Sequence, residues 1–92
     1  MANFIVSYDL NGPNPSHQEV DALLERLGAT RARILETVWY VGWSGSRADL
    51  FREIDALLNR NDQVIVLEAV DASFRNLLVE SASFIAAWNA NR

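Results

Sequence analysis

The chain has 92 residues, half of them apolar, which is enough for one domain with a small core. It has no cysteine, so disulfides and thiolate metal sites are excluded. Eight basic residues against twelve acidic ones leave a net charge of −4, which disfavours a dedicated nucleic-acid binder, because phosphate contacts need clustered cations.

All the basic residues are arginine. Arginine suits bidentate pairing with carboxylate or phosphate, although base composition of the gene produces the same bias. The N-terminus enters a strand directly, without the basic stretch and apolar run of a signal peptide. No apolar run approaches the roughly 20 residues of a membrane span. These features read as a cytoplasmic protein that does not engage a membrane.

The segment Asn3–Asp9 is apolar and β-branched, then stops against Asn11, Gly12, Pro13, Asn14 and Pro15. It reads as a strand buried on both faces, with Phe4, Val6 and Tyr8 on one side and Ile5, Ser7 and Asp9 on the other. Ser16 and Glu19 have the spacing of a capping box. Val20, Leu23, Leu24 and Leu27 follow at helical period, and Gly28 stands where a C-cap belongs, so the spacing predicts a helix over His17–Leu27.

Ala32–Val41 is β-rich and too long for one strand of a small domain, so a bend or bulge near Glu36 is expected to split it. Gly42, Ser44, Gly45 and Ser46 end this region. Ser46 caps a second helix with Asp49 as its acidic partner and Leu50, Phe51, Ile54, Leu57 and Leu58 as its apolar stripe. Gln63–Val70 reads as a central or doubly covered strand. Beyond Asp71 the apolar residues Phe74, Leu77, Leu78 and Val79 lose their period. Ser81 is expected to cap a short last helix carrying Phe84, Ile85 and Trp88, with a fraying end.

The expected fold is α+β: a single ferredoxin-like βαββαβ sandwich over residues 1–92, with core 3–70 and a partly helical tail 71–92 that covers an edge or reaches a partner. Val6, Leu23, Leu24, Leu27, Ile54, Leu58, Val64 and Val66 are the expected core. Two open sheet edges and three tryptophans suggest a homodimer that buries Trp39 or Trp43 and part of Phe74–Val79.

Asp9 is the sharpest candidate site residue. A carboxylate at a strand exit beside a helix N-terminus can hold Mg²⁺ through water, and two related by a dimer axis would bind it better than one. The alternative is a turn-former whose oxygens accept the amides of Asn11 or Gly12. His17 has no Ser, Cys or carboxylate at a diagnostic spacing and reads as a surface residue. Trp39, Tyr40 and Trp43, near Arg31, Arg33 and Arg47, form either a binding platform for stacked bases or a core and dimer contact. Gly42-Trp43-Ser44-Gly45 has the spacing of a GxxG clamp but follows a strand, so it reads as a turn.

Hydrophobics leading into Tyr8-Asp9-Leu10, the segment Glu36–Val41 and the run Asn61–Leu67 together resemble the Cas-two superfamily, which includes the small CRISPR adaptation subunit and the VapD toxins. The likeness is greatest to short bacterial proteins labelled SinR family, through Ile5–Asn11, Thr37-Trp39 and Asn61-Asp62, and it covers about residues 3–70. The resemblance implies a ferredoxin-like homodimer. It also implies that Asp9 matches an aspartate proposed to bind divalent metal for phosphodiester cleavage, in a superfamily where many members only hold DNA. The loop Asn11–Pro15 lacks the basic residues common there, the chain is acidic, and the tail is not the usual exchanged strand. The reading is therefore a dimeric scaffold or binding module without catalysis. One alternative is a metal-dependent ribonuclease or toxin-type nuclease using Asp9 from both subunits. Another is a regulatory module that binds a protein through its tail.

Overall fold

The computed structural model describes residues 1–27 and 30–92, and over these the chain is α+β, with a four-stranded antiparallel sheet and three helices. The order is β1 (Ala2–Asp9), α1 (His17–Leu27), β2 (Thr30–Leu35), β3 (Val38–Trp43), α2 (Arg47–Asp55), β4 (Gln63–Ala69) and α3 (Ser81–Ala90). The sheet order is β2-β3-β1-β4, and every neighbouring pair is antiparallel. The expected C-cap at Gly28 lies outside the described residues.

Alternation along β1 sorts the molecule into two layers. Phe4, Val6 and Tyr8 face α1 and α2 and join Val20, Leu23, Leu24, Leu50 and Ile54 in the larger core. Trp39, Val41 and Val66 from the neighbouring strands complete it. Of the core expected from the sequence, Val6, Leu23, Leu24, Ile54 and Val66 are buried, while Leu27, Leu58 and Val64 are partly covered at its margin. The opposite sheet face carries a second cluster, in which Ile34 and Tyr40 meet Phe84 and Trp88 of α3.

Local chemistry explains the boundaries of α1 and α2. The Glu19 amide donates to Ser16 Oγ at 3.2 Å, while the Ser16 amide donates to Glu19 Oε1 at 3.2 Å, so both caps of the box are made. Ser46 Oγ accepts the Asp49 amide at 3.1 Å and starts α2. The β-rich stretch does split: β2 and β3 are joined through Glu36 and Thr37, and the register shifts between Arg33 and Leu35.

The C-terminal third corrects several expectations. β4 is an edge strand, not a central or doubly covered one, and Ile65 and Leu67 are about half exposed. Its apolar run looked like a covered strand because composition does not reveal which face lacks a neighbour. Ser81 is the first residue of α3 rather than its cap; Glu80 holds the N-cap position without a side-chain bond. The end does not fray at Asn91, which is buried and hydrogen-bonded. The segment before α3 is irregular, with bends at 75–76 and 78–79 and Asn76 at φ 55°, so its apolar residues have no helical period: Leu77 and Val79 join the second cluster, and the Leu78 amide donates to the Ile34 carbonyl at 2.9 Å. Gly42 lies within β3 and does not end it.

Candidate functional site

The carboxyl end of β1 opens into a cleft with a volume of about 670 Å³. Five parts of the chain build it. Asp9 comes from β1, His17 from the first turn of α1, Arg33 from β2, Glu36 and Thr37 from the β2–β3 turn, and Gln63 from the start of β4. The alternation of β1 turns Tyr8 inward and leaves Asp9 exposed.

The Asp9 carboxylate accepts no hydrogen bond among the described residues, and neither Arg33 nor Glu36 forms an ion pair there; the ion pairs are Arg52–Asp49 and Arg92–Asp71, both elsewhere on the surface. Asp9, His17, Arg33 and Glu36 therefore converge on one cleft with unused hydrogen-bonding capacity. The turn-forming role expected for Asp9 belongs instead to Asp62. Asp62 Oδ1 accepts the Asn11 amide at 2.8 Å and its Oδ2 accepts the Asn59 amide at 2.8 Å. The Asn11 side chain donates to the Asn61 carbonyl, and that of Asn59 to the Asn14 carbonyl, so the two loops beside the cleft are tied to each other. The sequence does not reveal this role of Asp62, because its partner Asn11 is 51 residues away.

A fixed layer lies beneath the cleft. Asp21 Oδ1 accepts the Tyr8 hydroxyl at 2.7 Å and the Trp39 indole N–H at 3.1 Å. Burial, reinforced by the Asp21 carboxylate, pushes the Tyr8 phenol well above its ordinary value, so it stays a neutral donor. The His17 ring stands 5.8 Å from that of Tyr8. Asp21 gave no motif signal; only its position one turn after His17 hints that it faces the sheet.

The aromatic platform is not assembled. Trp39 and Tyr40 are buried on opposite faces of the sheet, as neighbours in a strand must be. Trp39 is packed inside its own protomer, so it is neither a stacking surface nor the dimer contact expected of it. Trp43 is half-buried and folds over its own turn, donating to the Ser46 carbonyl at 3.0 Å. Its ring fits there because Gly45 has no side chain; a Cβ would lie 2.7 Å from Trp43 Nε1. Arg47 opens α2 and does not line the cleft, whereas Arg33 does. Gly42 and Gly45 consequently serve close packing, not a nucleotide clamp.

Among the described residues, no three His, Cys, Asp or Glu side chains come together in a way that could hold a metal ion. Among the same residues, no helix is long and apolar enough to cross a membrane. No family model matches the chain, and comparisons with curated proteins and with solved structures give no match.

Proposed function

We propose that this chain is a ferredoxin-like binding module, related to the Cas-two superfamily and working in the cytoplasm, that holds a polar partner in the cleft at the carboxyl end of β1 without hydrolysing it. The element order through β4 and the sheet order β2-β3-β1-β4 support the fold assignment. One observation carries the functional reading: Asp9, His17, Arg33 and Glu36 meet in one open cleft, mixed in sign and not paired with one another. Arg33 offers a forked donor for an acidic group, while Asp9 and Glu36 offer acceptors for a basic or amide group. A zwitterionic or peptide-like ligand satisfies both better than a polyanion does, because the acidic residues repel phosphate.

The second reading, a Mg²⁺-dependent nuclease that uses Asp9 of each subunit, draws support from the exposure of Asp9 and its freedom from hydrogen bonds. The third, a regulatory module that binds protein through its tail, draws less, because Phe84 and Trp88 are buried on the protein's own sheet. Purified protein incubated with labelled RNA and Mg²⁺, beside Asp9→Ala, tests the proposal. No cleavage above background is expected from either. Cleavage by the wild type that disappears in Asp9→Ala overturns the binding-module reading. Amide spectra titrated with short zwitterionic peptides should shift at Asp9, Arg33 and Thr37, and Arg33→Gln should weaken the shifts.

A further inference from the structure

The two edges of the sheet are treated differently. The β2 edge is guarded: it carries Arg31 and Arg33, its register shifts at Arg33/Leu35, and the Leu78 amide already occupies the Ile34 carbonyl. Charge, irregularity and a covering segment are the usual protections of an edge strand. The β4 edge lacks the irregularity and the covering segment and carries little charge. Gln63–Ala69 is seven residues long, pairs with β1 in continuous register from Asn3↔Ala69 to Asp9↔Gln63, and contains one charge, Glu68, and no proline. Its exposed side chains include Ile65 and Leu67, at 53% and 47%. They lie on the face of the sheet that α3 covers over β2 and β3 but leaves open here.

We infer that β4 pairs antiparallel with β4 of a second copy of this chain, about a two-fold axis at Val66, giving a continuous eight-stranded sheet. The occupant is indicated by the strand's self-complementarity. In this register Ile65 faces the partner's Leu67 and Leu67 faces the partner's Ile65, so the four exposed side chains form one apolar cluster. Glu68 falls opposite the partner's Val64, so the strand's single charge never meets itself. Arg60, just before β4, comes within one residue of the level of the partner's Asp71, just after it, which adds attraction at both ends. The two-fold closes the assembly, because each β4 has one free edge and each β2 is guarded.

The register also has a consequence for Asp9. Asp9 is level with Gln63, three residues from the axis, and β1 is one strand further out. With strand rise and spacing as usual, the two Asp9 residues stand roughly 25 Å apart. One hydrated ion cannot bridge that distance, so the dimer presents two separate clefts.

The inference is independent of what the cleft binds, and a monomer would leave that reading untouched. Light scattering at micromolar concentration should give a dimer mass. Ile65→Lys with Leu67→Lys should halve it, while Leu35→Lys on the guarded edge should not change it. Since the chain has no cysteine, a single spin label at Gln63→Cys reads the register directly. The expected backbone separation is roughly 20 Å, from the same strand geometry. If the double variant fails to fold, the wild-type mass and the label distance still decide. A monomer mass, a dimer that survives the double lysine variant, or a label distance beyond twice that expected each overturn the inference.

Discussion

The two ends of β1 contrast in what they do with polar side chains. At the amino end Asn3 is buried, yet its amide is used on both sides: Nδ2 donates to the Trp88 carbonyl at 3.0 Å and Oδ1 accepts the Tyr40 hydroxyl at 2.6 Å. Asn91 donates to the Tyr40 oxygen at 3.2 Å and to the Ala87 carbonyl at 2.9 Å. The approach is possible because Gly42 has no side chain; a Cβ there would meet Asn91 Nδ2 at 2.9 Å. Among the described residues, the Trp88 indole N–H is the one buried side-chain group without a partner. At the carboxyl end Asp9 is exposed and accepts no hydrogen bond among the described residues, and three further titratable side chains share its cleft. A buried, satisfied polar group fixes structure. An exposed, unsatisfied cluster is available to something else. The same strand therefore anchors the C-terminus at one end and presents a site at the other.

If this contrast holds, substitutions at the amino end should cost far more stability than those at the carboxyl end. The largest effect belongs to Trp88→Ala, which removes the buried ring stacked 5.6 Å from Tyr40. Loss of about 3–5 kcal/mol is expected for a buried tryptophan, read as a lower urea midpoint. An unchanged midpoint would mean that α3 does not hold the second face. Tyr40→Phe keeps the packing and leaves Asn3 Oδ1 without its donor, at a cost of about 1–3 kcal/mol. Double-mutant coupling between Tyr40→Phe and Asn3→Ala should be clearly non-zero, because the two groups share one bond.

Alkaline pH sharpens the comparison. Burial pushes the Tyr40 hydroxyl up, and the Asn91 amide pulls it partly back. Tyr8 is pushed up by burial and by Asp21. A folded-state value above the unfolded one means that the native protein holds the proton more tightly. The stabilisation is complete below the unfolded tyrosine value of about 10 and is lost as pH climbs from there toward the raised folded values. Melting temperature should fall above that pH, and Tyr8→Phe should flatten the decline. A melting temperature independent of alkaline pH in the wild type would contradict the buried-phenol account.

Smaller effects belong to the carboxyl end. Asp62→Ala frees the Asn11 and Asn59 amides to water and should cost about 0.5–1.5 kcal/mol for each bond, with faster amide exchange at both positions as the more specific readout. Asp9→Asn should change stability by no more than about 0.5 kcal/mol, as for a surface residue without partners. A loss clearly above that would restore a structural role to Asp9.

Much of the frame was legible because its determinants are local. The Ser16–Glu19 and Ser46–Asp49 pairs each fix a helix start from residues three apart. The break at Glu36 followed from strand length, and strand alternation assigned Phe4, Val6 and Tyr8 to one face. What was not legible is long-range. Asp9 and Asp62 are both acids beside turn-rich loops, and only the folded placement of Asn11 shows that Asp62 holds the turn. Trp39 and Trp88 carry the same ring, yet one anchors on Asp21 and the other on Tyr40. Leu77 and Val79, in an irregular segment, pack on a sheet face whose existence their own spacing does not reveal. Of the cleft residues, the sequence points to Asp9 and Arg33 as candidates but not to their meeting, because the walls come from β1, α1, β2, the β2–β3 turn and β4, which the sequence separates.

The central proposal is that the cleft at Asp9 binds a polar ligand without Mg²⁺ at Asp9. Thermal melts of wild type and Asp9→Asn, each with and without Mg²⁺, test it most directly. The account predicts that Mg²⁺ leaves both melting temperatures in place and that the two proteins melt together. A rise with Mg²⁺ in the wild type that Asp9→Asn abolishes would contradict it and support Asp9 as a metal ligand.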